Sequence, residues 1–156
     1  MAEKQSASDN QFVVFRLGRE VYGLEISVIR EIITIQPITE VPGTESDIEG
    51  VINLRGRVIP VFNLHKRFGL AGGEVTRSTR IVVVEVDGIN IGMLVDGVSE
   101  VVKITEDIVE KASSIISDID EEYLAGIAKL EDKLVILLDL AIVLQRDEAA
   151  MLENIS

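Results

Sequence analysis

Residues 81–95 read Ile-Val-Val-Val-Glu-Val-Asp-Gly-Ile-Asn-Ile-Gly-Met-Leu-Val, the pattern of a β-hairpin. Asp87-Gly88 stands between two segments rich in β-branched residues, and an Asp-Gly pair favours the positive φ angles of a tight hairpin turn. The stretch therefore predicts two antiparallel strands, Ile81–Val86 and Ile89–Val95. We therefore expect a mainly β protein.

The same pattern occurs earlier in the chain, where Phe12–Leu17 and Val21–Ile26 flank a reversal at Gly18. Aligned at an offset of 69 residues, the two predicted hairpins match position by position: Val14 with Val83, Leu17 with Val86, Gly23 with Gly92 and Ile26 with Val95. Alternation alone makes any two hairpins look alike, so this match needs independent support.

A second pair of segments supplies that support. Gly50–Leu64 aligns with Gly126–Leu140 at an offset of 76 residues, in the same order along the chain and at nearly the same spacing. We infer an internal duplication. Each half holds short strands, and so small a sheet closes most economically into a barrel, which removes exposed edges.

The predicted domains follow from this repeat: a disordered tail at 1–10, a first barrel half at 11–78, a second at 79–140 and a C-terminal helix at 140–153. Pro60 cannot donate to a sheet ladder, so we expect its strand at an edge or a barrel seam. Short helices are predicted at three further places by capping residues and apolar spacing: Val28–Ile33, Ser46–Gly50 and Ser117–Gly126.

The amino-acid composition excludes several classes of protein. The 156 residues include 27 acidic and 15 basic side chains, a formal net charge of −12, and no Cys. Such a charge argues against general nucleic-acid binding, which depends on Lys and Arg at phosphates, and the absence of Cys excludes thiol catalysis and disulfides. A polar start and no apolar run near the ~20 residues that span a bilayer favour a soluble, cytoplasmic protein.

Candidate catalytic residues are few. His65 is the only histidine, and no nucleophile motif accompanies it, so we expect a solvated side chain beside Lys66. The acidic segment Asp118–Glu122 breaks the calcium-loop pattern and fits the first turn of a helix better. No glycine-rich phosphate motif occurs. We expect no enzyme activity, no metal and no cofactor.

Three features bear instead on an interaction surface. Val28–Ile33 carries more apolar side chains than one barrel face can cover. Either the other barrel or the C-terminal helix covers the rest, or they are available to a partner, and both hold if a groove lies between the barrels. Arg55 stands beside Gly56 in a tight turn, where a long cation can reach a carboxylate, and the repeat has Glu131 at this position. Residues 50–80 hold six basic side chains against one acidic one, an excess that either attracts an acidic partner or is simply solvated.

Five segments together resemble the CheW family of bacterial chemotaxis coupling proteins, over about residues 11–152. They are Phe12–Gly18, Val21–Ile26, Ile29–Ile32, Gly50–Leu64 and Val95–Val102. The Asn-Leu-Arg-Gly turn at Asn53–Gly56, followed by Val-Ile-Pro-Val, is the most specific piece.

The resemblance implies a pair of five-stranded, SH3-like β-barrels that share a core. It also implies a non-catalytic adaptor without a cofactor, which links the cytoplasmic tip of a methyl-accepting chemoreceptor to the regulatory domain of the histidine kinase CheA. We expect a monomer when isolated and, in the cell, a cytoplasmic protein recruited to membrane-attached receptor arrays. Neither nucleic acid nor membrane insertion is expected.

The resemblance also implies site residues. Arg55 and Glu31 are expected to form an ion pair that borders a receptor-binding groove, and the duplication pairs four apolar residues of that groove: Ile29 with Val98, and Ile32 with Val101. Kinase contact is expected around three residues of the first half: Ile38, Val41 and Gly50.

Two other functions stay open at this point. A double barrel can bind a small ligand in the groove between its barrels, which predicts a deep, closed cavity. It can also be a self-assembling structural module, which predicts polymerisation that depends on concentration and needs no partner. The adaptor predicts a shallow, open groove instead.

Overall fold

The structure is a computed structural model that describes residues 11–43, 47–70, 74–110 and 124–139. The predicted N-terminal tail at 1–10 and C-terminal helix at 140–153 lie outside the described residues. Within them, strands account for nearly all regular structure, which confirms the mainly β expectation.

Two sheets contain all the strands described. Sheet A has the order β8-β1-β2-β11-β10-β9, and its strands are β1 Gln11–Leu17, β2 Glu20–Glu25, β8 Gly97–Lys103, β9 Val109–Glu110, β10 Leu124–Lys129 and β11 Leu134–Leu138. Sheet B has the order β3-β6-β7-β5-β4, and its strands are β3 Ile29–Thr34, β4 Ile48–Leu54, β5 Arg57–Asn63, β6 Arg80–Val86 and β7 Ile89–Val95. One short helix, α1 Leu64–Arg67, follows β5.

Five strands of sheet A have the same order as the five strands of sheet B once each strand is replaced by its repeat. The duplication pairs β1 with β6, β2 with β7, β3 with β8, β4 with β10 and β5 with β11. The sixth strand of sheet A, β9, has no counterpart strand, and an isolated bridge between Thr39 and Val51 lies beside β4 instead. Even irregularities repeat: the pairing shifts between Ile48 and Gly50 in β4 and between Leu124 and Gly126 in β10. The topology therefore supports an internal duplication.

The boundary predicted between residues 78 and 79 does not divide the sheets. Hairpin β1–β2 belongs to the first half but pairs with β8 and β11, and hairpin β6–β7 belongs to the second half but pairs with β3 and β5. The reason lies in two short connections. A 3-10 turn at Ile26–Val28 takes the chain from sheet A to sheet B, and Asp96 alone takes it back.

Three apolar clusters form the core. One lies inside sheet B and contains Ile52, Leu54, Ile59, Val61, Ile81 and Val83. Its counterpart in sheet A contains Val14, Ile104, Ala128, Val135 and Leu137. The third and largest joins the sheets, because it takes Phe15, Leu17, Tyr22 and Leu24 from sheet A and Phe62, Val82, Val84 and Met93 from sheet B. Each sheet thus has its own interior, and the two share a core.

Both predicted hairpins are present. The turn of β6–β7 has positive φ at Asp87 (53°) and Gly88 (82°), as an Asp-Gly hairpin requires. Pro60 lies in β5, which pairs with β4 on one side and with β7 on the other, so of the two predicted positions, an edge or a barrel seam, the edge is wrong. The missing N–H is tolerated because parallel pairing with β7 begins only at Val61, one residue after the proline.

The predicted short helices are wrong where the structure describes them. Val28–Ile33 forms the end of the 3-10 turn and then strand β3, whose exposure alternates residue by residue. The branched side chains of Ile29, Ile32 and Ile33 favour such a strand. Ile48–Gly50 begins β4, and the end of the third predicted helix, from Leu124 onward, lies in β10.

Candidate interaction surfaces

Arg55 lies at the turn between β4 and β5 and adopts a left-handed conformation, with φ of 53° at Arg55 and 84° at Gly56. The Gly56 N–H donates a hydrogen bond to Asn53 Oδ1 at 2.8 Å, which closes the turn. The Asn-Leu-Arg-Gly sequence thus holds the backbone from which the Arg55 side chain projects. This conformation is uncommon for a residue other than glycine.

The expected ion pair between Arg55 and Glu31 is present. Arg55 Nη1 lies 2.5 Å from Glu31 Oε2, and Nη2 lies 2.8 Å from Oε1, so the guanidinium and the carboxylate meet through two parallel hydrogen bonds. The hydrogen bond from Arg55 lowers the pKa of Glu31 below its ordinary value, and the same bond raises the pKa of Arg55. Both side chains are therefore charged at neutral pH.

This pair also connects the two ends of sheet B. Glu31 lies on β3, the first strand of the sheet, and Arg55 follows β4, the last. Sheet A has a counterpart, in which Lys133 before β11 pairs with Glu100 on β8. The hydrogen bond that Lys133 donates to Glu100 raises the pKa of Lys133 above its ordinary value. The second half therefore replaces Arg55 with a cation two positions beyond Glu131, and in sheet A the pair joins β8 to the turn between β10 and β11.

The four apolar residues expected in the groove fall into two classes. Ile29 and Val98 are partly buried against the core that the two sheets share. Ile32 and Val101 remain 39% and 50% exposed, respectively, on strands β3 and β8. Since β3 and β8 are the terminal strands of their sheets, the duplication places one exposed apolar side chain on each edge. An apolar side chain in such a position is available to a partner.

The residues expected to contact the kinase lie at the opposite end of the order of sheet B. Gly50 has φ of +149°, and a Cβ atom there would lie 2.2 Å from the Thr39 carbonyl oxygen and 2.9 Å from Ile38 Cγ2. Thr39 and Val51 exchange two backbone hydrogen bonds of 2.8 Å, which hold the segment of Ile38 against β4. Ile38 and Gly50 are thus brought together. Val41 lies three residues beyond Ile38 and is half-buried.

The expectation of a solvated histidine is wrong. His65 is 4% exposed, and its Nε2 atom lies 3.0 and 2.9 Å from the two carboxylate oxygens of Asp96. Helix α1 turns the His65 side chain inward, whereas Lys66 points outward and pairs with Glu49. Reasoning from the sequence missed Asp96 as a partner, although it stands in the Val95-Asp-Gly-Val98 segment that helped to carry the resemblance.

The excess of basic residues at 50–80 is partly neutralised within the molecule. Lys66 pairs with Glu49 at 3.2 Å, and Arg67 pairs with Asp47 at 3.3 Å. Among the described residues, no group of three or more His, Cys, Asp or Glu side chains is placed to hold a metal ion. No helix in the described part of the chain is long and apolar enough to cross a membrane.

Comparison with known proteins matches the family model for the CheW-like domain to residues 11–148. The chain is 32% identical over 146 residues to the chemotaxis protein CheW of Klebsiella aerogenes, across 94% of this chain and 88% of the relative. It is 34% identical over 126 residues to the chemotaxis protein CheW of Thermotoga maritima, across 81% of this chain and 82% of the relative.

A solved structure agrees with both the family and the fold. The crystal structure of the scaffolding CheW protein of Thermoanaerobacter tengcongensis is 40% identical, superposes with a TM-score of 0.80, and covers 86% of this chain and 87% of that chain. The two sheets, each with its own interior, are therefore the two-barrel fold. The chain belongs to the CheW-like family, and it is a non-catalytic adaptor of chemotaxis.

Proposed function

We propose that this adaptor couples methyl-accepting chemoreceptors to the histidine kinase CheA. It binds the cytoplasmic tip of the receptor at one surface and the regulatory domain of the kinase at another. The isolated protein is a monomer in the cytoplasm and is recruited to membrane-attached receptor arrays through these contacts. A non-catalytic protein that holds two partners raises the effective concentration of each for the other.

The proposed receptor-binding surface is supported by the exposure of Ile32 and Val101 at equivalent positions of β3 and β8. Three residues earlier on the same strands, Ile29 and Val98 pack against the shared core, so anchored strands present the exposed side chains. A helical receptor tip carries apolar anchors at helical spacing, and such a helix can lie along an apolar groove. The Glu31–Arg55 pair borders the groove on the side of sheet B.

The proposed kinase surface is supported by its local rigidity. The mutual hydrogen bonds of Thr39 and Val51 fix the segment of Ile38, and the bulge at Gly50 lets that segment approach β4 closely. Ile38 packs partly against the interior of sheet B. Gly50 itself is buried beneath this segment and supports it, so Ile38 and Val41 form the outer part of the proposed surface. This surface therefore keeps its shape without a partner, which lowers the entropic cost of binding.

Calorimetric titration tests the proposal directly. The full chain is titrated with the regulatory domain of CheA and, separately, with a folded receptor-tip fragment. We expect saturable binding of each. Ile32→Asp should weaken tip binding by about tenfold or more while kinase binding is retained, because a carboxylate then replaces an exposed apolar contact. Val41→Asp should have the reverse effect.

Val75→Asp is the matched control, since Val75 is also exposed (61%) but belongs to neither proposed surface. This variant should bind both partners as the original chain does. Binding of neither partner by the unmodified chain, with both partners folded, would overturn the proposed function. Equal weakening of tip binding by Ile32→Asp and Val75→Asp would overturn the placement of the receptor surface.

A further inference from the structure

Asp96 is the single residue between β7 of sheet B and β8 of sheet A, and hydrogen bonds hold it on every side. Its carboxylate is bonded to His65 Nε2 and accepts a hydrogen bond of 2.8 Å from the Gly18 N–H. Its own N–H donates to the Arg16 carbonyl oxygen at 2.9 Å. Asp96, where the chain passes from sheet B to sheet A, is therefore hydrogen-bonded both to the β1–β2 hairpin and to helix α1.

Helix α1, which carries His65, is tied in turn to the start of β4. The Asn63 N–H donates to the Asp47 carbonyl oxygen at 2.8 Å, and Asn63 Nδ2 donates to Glu49 Oε1 at 3.1 Å. Lys66 pairs with the same Glu49, and Arg67 pairs with Asp47. These contacts, which run from the residue before α1 to its last residue, hold the helix against the start of β4.

These contacts form a continuous path between the two proposed surfaces. At one end, Asp96 lies two residues before Val98 on β8. At the other end, Glu49 precedes Gly50, which packs closely on Thr39. The bond between His65 and Asp96 joins the α1 part of this path directly to the residue that crosses between the sheets.

We propose that the His65–Asp96 contact couples the two binding surfaces, so that occupation of the receptor surface changes the affinity for the kinase. This inference rests on the proposed function. His65 is a positioning residue, because it touches neither surface and acts through Asp96 and α1. A displacement of β8 by a bound partner reaches β4 through this hydrogen bond, and coupling of this kind is reciprocal between the two sites.

A thermodynamic cycle measures the coupling. The affinity of the full chain for the kinase regulatory domain is determined with and without a saturating receptor-tip fragment, and the ratio of the two affinities is the coupling factor. In the original chain we expect a factor of about 5 or more in either direction. In His65→Leu, which removes the hydrogen bond, the factor should approach 1, while the affinity for each partner alone stays within about twofold.

Two variants separate coupling from stability. His65→Gln keeps an N–H donor near the position of Nε2 and should retain the coupling factor. Lys129→Ala removes an exposed ion pair with Glu110, away from the path, and should also retain it. If His65→Leu does not fold, Asp96→Asn takes its place, since it weakens the bond with little change in shape.

The outcomes are distinguishable. Binding of neither partner by the original chain would contradict the proposed function itself. Binding of both with a coupling factor of 1 in the original chain, or with a factor that His65→Leu or Asp96→Asn leaves unchanged, would overturn the coupling while the proposed function stands. Loss of the factor in His65→Gln and His65→Leu alike, or in Lys129→Ala, would also overturn it, because the effect would not follow the hydrogen bond.

Discussion

At the scale of the residue, Gly50 shows how one position combines backbone strain with close packing. Its φ of +149° favours glycine, and a Cβ atom would lie 2.2 Å from the Thr39 carbonyl oxygen, a rigid backbone atom. We expect Gly50→Ala to lower the free energy of unfolding by about 3 kcal/mol, from strain and overpacking together. Chemical denaturation followed by circular dichroism measures this loss.

Gly56→Ala is the control for the contribution of strain. Gly56 also has positive φ (84°), but no atom lies within 4 Å of the position of its Cβ. Its replacement should cost only about 1 kcal/mol, the penalty of a left-handed alanine. Equal losses for Gly50→Ala and Gly56→Ala would show that contact with Thr39 contributes nothing.

The contribution of the Glu31–Arg55 pair to stability is expected to depend on pH. The hydrogen bond from Arg55 lowers the folded-state pKa of Glu31 below its ordinary value of 4.5. The pair therefore stabilises the fold at pH values above 4.5, and this contribution is lost as the pH falls through the lowered pKa. NMR titration of the Glu31 carboxyl carbon should give a midpoint below 4.5, and Arg55→Ala should raise that midpoint. A midpoint that Arg55→Ala leaves unchanged would contradict the role of Arg55.

At the scale of the element, the hairpins were predictable and β3 was not. Asp87-Gly88 specifies a turn locally, and alternating apolar residues specify the flanking strands. The segment Val28–Ile33 has apolar residues at spacings that fit either a helix or a strand, and pairing of β3 with β6 decides between them. The two strands are about 50 residues apart along the chain, so a pattern within a few neighbouring residues cannot predict that they pair.

The contrast between neighbouring residues tests the assignment of β3. Ile33 packs against the interior of sheet B, whereas Ile32 lies on the exposed side. Ile33→Lys should lower the free energy of unfolding by about 2–4 kcal/mol, because it places a charge against the core. Ile32→Lys should change it by less than about 0.5 kcal/mol. Denaturant titration of the two variants measures both values, and equal losses would contradict the alternation.

The candidate surfaces were predictable only in part for the same reason. The Glu31–Arg55 pair followed from the resemblance, because its turn motif is local and specific. The burial of His65 did not, since Asp96 lies 31 residues away and only the tertiary fold brings its carboxylate within 3.0 Å. For a single histidine on a short helix, the local sequence does not predict whether the side chain faces the core or the solvent.

At the scale of the whole molecule, exchange of hairpins between the halves links the two barrels. Sheet B needs β6 and β7 from the second half, because they stand between β3 and β5. Ile81 and Val83 of β6 also fill the interior of sheet B, and the shared core takes residues from both hairpins. Neither barrel is therefore complete without the other half of the chain, so the molecule should unfold as one unit.

Division of the chain tests this last conclusion. Fragments 1–73 and 74–156 each lack the hairpin that completes the sheet of their own remaining strands, so neither should show a cooperative thermal transition alone. Mixed in equal amounts, they should restore the dispersed amide spectrum of the intact chain, because the missing hairpins are then supplied in trans. The midpoint of the restored transition should rise with concentration, as association requires. A monomeric fragment 1–73 that unfolds cooperatively by itself would contradict the exchange, since β1–β2 would then have to replace β6–β7 within one half.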